Sequence, residues 1–195
     1  MKSEHKRLKV INLFGPPGVG KSATRSGVFW LMKSYHMSVE EVSEYAKYLV
    51  LTGRTWQLKE EQLYLLAKQN HKQVILRGQY EYAVTDSPLA LCSFYAPKSY
   101  MPAFFDLVEQ ARNQFENINF YLTRDLSRDA FELAGRVHDL AASQQIDLEM
   151  REYLDRLGIR CIEVPTDRLT PWRIVNAVRP DIVTRADFPF PEPTA

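Results

Sequence analysis

The sequence has few of the features that mark secreted, membrane-bound or strongly charged proteins. Its 195 residues include two cysteines, Cys92 and Cys161, and both lie in apolar contexts that favour reduced core thiols over a disulfide. No stretch approaches the roughly 18 apolar residues of a membrane span. The basic N-terminus also lacks the apolar run of a signal peptide. We therefore expect a cytoplasmic protein that does not associate with membranes.

The charge balance and the histidine spacing exclude further classes. With 25 basic and 24 acidic residues the formal net charge is +1, so no global positive field attracts nucleic acid. The histidines have no metal-ligand spacing to one another or to cysteine, which argues against structural zinc. The length suits one domain with one core, which we place at residues 1–180, followed by an extended proline- and phenylalanine-containing tail at 181–195.

Strand-like and helix-like patterns alternate along the chain. The strand patterns cover residues 8–14, 37–43, 80–86, 118–124 and 160–167. The helical patterns cover residues 21–34, a region from 45 onward, 60–77, 102–116 and 146–157. Such alternation predicts an α/β fold, a three-layer sandwich with a five-stranded parallel sheet, with ligands at the carboxyl ends of the strands.

The most specific motif is "GPPGVGKS", which lies between the first strand and the first helix. It matches the phosphate-binding P-loop pattern G-x-x-x-x-G-K-[ST] in full. Glycines allow the backbone N–H groups to point at phosphate oxygens, Lys21 carries its ammonium to the β- and γ-phosphates, and Ser22 offers a hydroxyl to Mg²⁺. We predict that ATP is bound by Gly15, Pro16, Pro17, Gly18, Val19, Gly20, Lys21, Ser22 and Ala23.

A carboxylate for the metal is expected at the end of a strand beside the P-loop, and Asp86 ends "YAVTD". We predict that Ser22 and Asp86 hold Mg²⁺. The alternative interpretation of Asp86 is a helix cap or turn residue before Ser87 and Pro88.

The P-loop alone does not show where the γ-phosphate goes. An ATPase of the AAA type would normally have a glutamate after the metal-site aspartate, where this chain has Ser87. A GTPase would have D-x-x-G and N-K-x-D, but position 89 is Leu89 and no Asn-Lys pair occurs. These absences disfavour a motor or a switch and leave a kinase as the leading interpretation.

A kinase also needs a group that orients or deprotonates the acceptor hydroxyl. Glu44 follows the second strand in "VSEYAK", which brings it to the same sheet edge as Lys21 and Asp86. The alternative is a solvated glutamate like its neighbours Glu40 and Glu41. The acceptor pocket is expected after Glu44, from Tyr45, Lys47, Arg54, Gln62, Tyr64 and Gln69.

Cations that screen the transferring phosphoryl group are expected in a lid at about residues 124–142. This segment contains Arg124, Arg128 and Arg136, and Arg136 after Gly135 is the lid cation we favour. The alternative is a surface loop whose arginines pair with nearby aspartates.

With these residues in place, the chain resembles phage-encoded P-loop kinases, which are similar in turn to nicotinamide riboside kinases and thymidylate kinases. The resemblance runs from about residue 8 to residue 164, and only its first motif is specific alone. The matching motifs are "FGPPGVGKS", "VSEYAKYLV", "EEQLYLLAKQ", "YAVTDSP", the "GR" at Gly135 and Arg136, and "IDLEMREYLDRLGI". The lid departs from the family, since "LSRDAFELAGR" replaces a shorter basic, proline-containing stretch.

The resemblance implies an ATP- and Mg²⁺-dependent kinase with Lys21, Glu44, Asp86 and Arg136 as catalytic residues. Some relatives phosphorylate free nucleosides or nucleotides, and one branch phosphorylates 5-hydroxymethyluracil in phage DNA as a step in thymidine hypermodification. The sequence does not choose between a free acceptor and one in DNA. An ATPase acting as an interaction module and a nucleic-acid-binding protein remain alternatives, the latter weakened by the small net charge.

Overall fold

The computed structural model describes residues 7–124 and 140–182. Its sheet has five strands in the order β2-β3-β1-β4-β5, and every neighbouring pair is parallel. The strands are β1 (Lys9–Phe14), β2 (Val39–Val42), β3 (Tyr82–Thr85), β4 (Glu116–Thr123) and β5 (Ile162–Pro165). This confirms the predicted α/β fold and its five-stranded parallel sheet.

Eight helices connect or follow these strands within the described ranges. They are α1 (Lys21–Ser34), α2 (Tyr45–Leu51), α3 (Gln57–Glu60), α4 (Gln62–Val74), α5 (Ala90–Tyr95), α6 (Pro102–Arg112), α7 (Leu140–Arg156) and α8 (Thr170–Val178).

Both faces of the sheet are covered, because the central strand β1 buries its side chains on each side. Ile11 and Leu13 pack with residues of α1 and α8 in one cluster, and Val10 packs with residues of α4 and α6 in another. A further cluster joins Phe14 to residues of α5 and α7. The three-layer arrangement therefore follows from an apolar strand between two helical layers.

The predicted helix at 60–77 differs from the structure. Glu61 has φ −117° and ψ 41°, which separates α3 from α4, and α4 ends at Val74. The helix predicted at 102–116 ends at Arg112, because Glu116 pairs with Lys9 in the sheet. In both places the predicted helix continued past the point where the helical backbone ends.

The apolar face predicted for residues 146–157 is also shorter than expected. Leu157 lies beyond the end of α7 and its side chain is exposed. Two helices, α5 and α8, were not predicted, since both are short and little more than a proline marks the start of α8.

Several sequence predictions fall on residues outside the described ranges. Arg128, Arg136 and most of the predicted lid lie in 125–139, and most of the tail lies in 183–195. Within the described residues, no helix has the length and apolar character needed to cross a membrane. Cys92 and Cys161 are free thiols, and burial raises the pKa of each to about 12.

Candidate functional site

Three loops lie side by side at the carboxyl edge of the sheet. Asn12 of β1 and Val42 of β2 are both in register with Thr85 of β3, so the three strands end at nearly the same level. The P-loop, Asp86 and Glu44 follow these strands. The strand order therefore brings together three site residues or motifs that are far apart in the sequence.

The P-loop owes its shape to glycines in left-handed or otherwise positive-φ conformations. Gly15, Gly18 and Gly20 have φ values of 137°, 83° and 92°. A Cβ atom on Gly15 would lie 2.8 Å from the carbonyl oxygen of Leu122 in β4, a backbone group that cannot move aside. Glycine is therefore required at position 15 for both conformation and space.

Lys21 spans the P-loop from the first position of α1. Its Nζ donates to the carbonyl oxygens of Gly15 and Pro16 at 2.7 and 2.9 Å. Among the described residues no side chain caps the N-terminus of α1, and its first turn has no acidic residue. The first-turn N–H groups and the positive end of the helix dipole are thus directed at the loop, an arrangement suited to anions.

Asp86 is almost completely buried and forms an ion pair with a residue that the sequence did not single out. Arg25 donates from Nη1 to Asp86 Oδ1 at 2.8 Å and from Nε to Glu41 Oε2 at 3.2 Å. Arg25 lies four residues after Lys21, one helical turn along α1. The helix therefore presents two cations to the same sheet edge.

The second oxygen of Asp86 meets the first requirement of a magnesium site. Asp86 Oδ2 is buried and accepts no hydrogen bond from any described residue. An unpartnered buried carboxylate oxygen is costly, and Mg²⁺ prefers oxygen ligands of this kind. Ser22, the second residue of α1, carries a hydroxyl. The Asp86 carboxylate and the Ser22 hydroxyl are therefore a donor set that fits Mg²⁺.

Glu44 directly precedes α2 and lies in a partly enclosed position. Burial raises the pKa of its carboxyl above the ordinary value of 4.5, the charge of Lys21 opposes this rise and the charge of Asp86 adds to it. These effects require Glu44 to lie within electrostatic range of both groups. A carboxylate with a raised pKa is suited to accept a proton.

The other side of the P-loop is held by β4 and α7. Arg124 donates from Nη2 to Pro17 O at 2.8 Å and to Ser143 Oγ at 3.2 Å, and Ser143 Oγ donates to Pro17 O at 2.6 Å. A cavity of about 230 Å³ opens beside this contact. Arg124, the first cation of the predicted lid segment, thus contacts the P-loop.

The loop after β5 also reaches the P-loop. A Cβ atom on Gly20 would lie 3.2 Å from Thr166 Cγ2, and Thr166 Oγ1 is buried without a partner among the described residues. Asp167 binds Arg173 through both carboxylate oxygens, at 2.8 and 2.9 Å. Asp167 therefore stabilises the start of α8, and Thr166 is the residue of this loop that lies against the P-loop at Gly20.

The predicted acceptor residues divide into buried side chains and exposed or half-buried ones. Gln62 and Gln69 are buried, and Gln69 Nε2 donates to Thr85 Oγ1 at 3.4 Å beneath the sheet edge. Tyr45 and Tyr64 instead contact each other at the surface, with ring centroids 5.9 Å apart. Lys47 is exposed, and its charge, like that of Lys21, opposes the rise in the pKa of Glu44.

Three residues at this edge were missed by sequence reasoning. Arg25 had a signal, since the i to i+4 spacing from Lys21 places it on the same face of α1. Lys72 of α4 donates from Nζ to Ser43 O at 2.8 Å, and burial and the charge of Arg25 lower its pKa. Burial and the charge of Glu44 raise the pKa of Tyr95. Nothing in the sequence links Lys72 or Tyr95 to the P-loop.

No family model and no curated protein matches the chain. Its fold is similar to solved structures of a NadR protein in complex with NR, with a TM-score of 0.66 and 15% identity over 93% of this chain and 54% of that one. For a NadR protein in complex with NAD and AMP-PNP the TM-score is 0.61 and the identity 15%, over 93% of this chain and 52% of that one. For the thymidylate kinase from Ehrlichia chaffeensis the TM-score is 0.54 and the identity 12%, over 89% of this chain and 100% of that one.

Although the identities are low, the TM-scores show that the chain shares its fold with these structures. The chain spans about half the length of the NadR chains and the whole length of the thymidylate kinase. The five-stranded parallel sheet with flanking helices is thus a fold that the chain shares with these NadR and thymidylate kinase structures.

Proposed function

We propose that the protein is an ATP- and Mg²⁺-dependent kinase that transfers the γ-phosphate to a hydroxyl of a nucleoside-type acceptor. The observation that carries this proposal is the juxtaposition of the P-loop, Asp86 and Glu44 at adjacent strand ends. A phosphate cradle, a metal-binding carboxylate and a proton acceptor are the groups that phosphoryl transfer to a hydroxyl needs.

The P-loop and α1 bind the donor. The backbone N–H groups from Gly18 to Ala23 would surround the phosphate oxygens, since Pro16 and Pro17 have no N–H to donate. Lys21 would release its two carbonyl partners to bind the β- and γ-phosphates. Arg124 and Ser143 fix the outer side of the loop at Pro17. A loop fixed from outside needs little rearrangement when the donor binds.

Ser22 and Asp86 Oδ2 hold Mg²⁺ in this proposal. When bound, the metal would supply charge neutralisation to the phosphates of the donor. Arg25 pairs with Asp86 Oδ1, so Oδ2 is the oxygen that would hold the metal.

Glu44 acts on the acceptor. Its carboxylate accepts the proton of the attacking hydroxyl as the acceptor oxygen bonds to the γ-phosphorus. The bond from that phosphorus to the β,γ-bridging oxygen breaks at the same time, giving ADP and the phosphorylated acceptor. The lid arginine of the sequence prediction, Arg136, would screen the transferring group, and we keep it as a proposal outside the described residues.

The acceptor class rests on the resemblance and on the shared fold. A NadR structure contains NR and another contains AMP-PNP, which supports a nucleoside-like acceptor together with a nucleoside triphosphate donor. The resemblance to phage-encoded kinases extends the proposal to the hydroxymethyl group of 5-hydroxymethyluracil in DNA.

Incubation with γ-labelled ATP and Mg²⁺ tests the proposal. The acceptor panel contains nucleosides, nicotinamide riboside, nucleoside monophosphates, ordinary DNA and hydroxymethyluracil-containing DNA. We expect label in one of these acceptors and none with the Lys21→Ala variant. ATP hydrolysis that needs no acceptor, with label in none of them, would instead identify an ATPase that acts as an interaction switch.

A further inference from the structure

A cluster of exposed and half-buried aromatic and basic side chains lies on α2, α4 and the turn after α2. We call it the tyrosine surface, and it consists of Tyr45, Tyr48, Arg54, Tyr64, Lys68 and Lys72. Tyr45 stacks on Tyr48 with ring centroids 5.7 Å apart and meets Tyr64 edge-on at 5.9 Å. Tyr45 thus joins the other two rings into one continuous platform.

Each ring of the platform carries a cation of its own. Arg54 lies 5.1 Å from the centroid of Tyr48, Lys68 lies 5.3 Å from Tyr64 and Lys72 lies 5.9 Å from Tyr45. Tyr48 and Tyr64 remain 50% and 42% exposed. A contiguous exposed aromatic patch indicates a binding surface, and its cations select an anionic partner.

The tyrosine surface is continuous with the candidate active site. Tyr45 directly follows Glu44. Lys72 also donates from Nζ to the carbonyl oxygen of Ser43, and its pKa responds to Arg25 and Asp86. The tyrosine surface therefore adjoins the proposed proton acceptor, Glu44.

We propose that the tyrosine surface binds single-stranded nucleic acid, with unpaired bases stacked on the tyrosines and backbone phosphates on Arg54, Lys68 and Lys72. Aromatic platforms interleaved with cations bind single strands in this way. A free nucleoside has one base, fewer than a platform of three rings accommodates, and a duplex keeps its base faces stacked internally. The role of this surface in presenting an acceptor to Glu44 rests on the proposed function, and the binding itself does not.

The test measures fluorescence anisotropy without ATP on a fluorescein-labelled oligothymidylate of about 12 nucleotides. An abasic strand of equal length separates base stacking from charge, and a duplex is the third probe. One variant combines Tyr48→Ala with Tyr64→Ala, and another combines Arg54→Ala with Lys68→Ala. The controls are Trp30→Ala, an aromatic residue 62% exposed on α1, and Arg160→Ala, an exposed cation before β5 at the opposite sheet edge.

We expect the wild type to prefer the oligothymidylate to both other probes. The double tyrosine variant should bind it roughly 10- to 100-fold more weakly and the abasic strand nearly unchanged. The arginine–lysine variant should bind both strands more weakly and lower the salt slope by about 1.4. Both controls should bind like the wild type.

Three results would overturn the proposal: no strand binding by the wild type, equal binding of abasic strand or duplex, or a tyrosine variant that binds like the Trp30→Ala control. Strand binding without phosphotransfer would reject the proposed kinase alone, and phosphorylation of free nucleosides without strand binding would reject this inference alone.

Discussion

In the proposed kinase, the P-loop with Lys21 forms a donor half that binds ATP, and Glu44 and its neighbours form an acceptor half. These two halves of the site are built in different ways. The donor half uses backbone: three glycines with positive φ, carbonyl oxygens of Gly15 and Pro16 held by Lys21, and the N-terminus of α1. The acceptor half uses side chains from separate helices, with Glu44 before α2, Lys72 on α4 and Tyr95 on α5. A site formed by backbone groups requires particular residues at consecutive positions of the sequence. A site formed by side chains requires only that the right residues meet in space, wherever they lie in the sequence.

The largest effect should come from removing the one side chain that the donor half depends on. Lys21→Ala removes the ammonium that bridges the P-loop carbonyls and that binds the phosphates in the proposed function. We expect loss of both ATP binding and phosphotransfer, measured by calorimetry and by transfer of label. Lys33→Ala, at the other end of the same helix, should leave both at wild-type levels. Retained ATP binding by Lys21→Ala would contradict the donor half as described.

The same difference explains how much of the site the sequence predicts. "GPPGVGKS" and the strand and helix around it were predicted because glycine φ values and the lysine position are encoded in consecutive residues. Asp86 and Glu44 were found as residues that follow strands. The strand order that makes those strands neighbours depends on long-range pairing, which no local pattern states.

Residues whose partners lie far away in the sequence were less predictable. Arg25 meets Asp86 across 61 positions and Lys72 meets Ser43 across 29, and neither pairing has a local signal. The end of α6 was misplaced because strand β4 takes over the backbone at Glu116. The predicted acceptor list mixed buried Gln62 and Gln69 with surface tyrosines, since both kinds of residue follow a helical period.

Glu44→Gln tests the acceptor half while leaving the donor half intact. We expect ATP binding close to wild type and transfer reduced by roughly 10²-fold or more, the usual scale for a positioned proton acceptor. Wild-type transfer should fall as the pH drops through the raised pKa of Glu44, and the variant should lose this dependence. Initial rates across pH measure both effects.

The matched control for this variant is Glu60→Gln, on an exposed glutamate of α3. It should keep the wild-type rate and pH profile. A Glu44→Gln protein with the rate of this control would remove Glu44 from the mechanism.

Arg25 joins the two halves, so its removal should affect both stability and metal binding. Arg25→Met leaves Asp86 buried without its ion pair. We expect a loss of roughly 2–3 kcal/mol in the free energy of unfolding, at the low end for a broken buried pair because Arg25 retains some contact with solvent. Mg²⁺ with ATP should restore more stability to the variant than it adds to the wild type, because a cation again neutralises Asp86.

Thermal unfolding with and without Mg²⁺ and ATP checks this prediction. Arg173→Met is the control, since it breaks the partly exposed pair with Asp167 away from the metal carboxylate. Its stability should fall less, and its response to Mg²⁺ and ATP should equal that of the wild type. Equal responses in both variants would separate Arg25 from the metal site.

The smallest effect should be a gain in stability from neutralising Glu44. Burial raises its pKa in the folded protein above the ordinary value of 4.5, so between those two pKa values the native state binds more protons than the unfolded state. The contribution of this group to stability is therefore full below pH 4.5 and is lost as the pH rises through the raised value. Glu44→Gln removes that loss, so at pH 7 the variant should unfold at a higher denaturant concentration than the wild type. Glu60→Gln should show no such gain in stability. If Glu44→Gln were less stable than the wild type at pH 7, the ionised carboxylate of Glu44 would stabilise the folded protein instead of destabilising it.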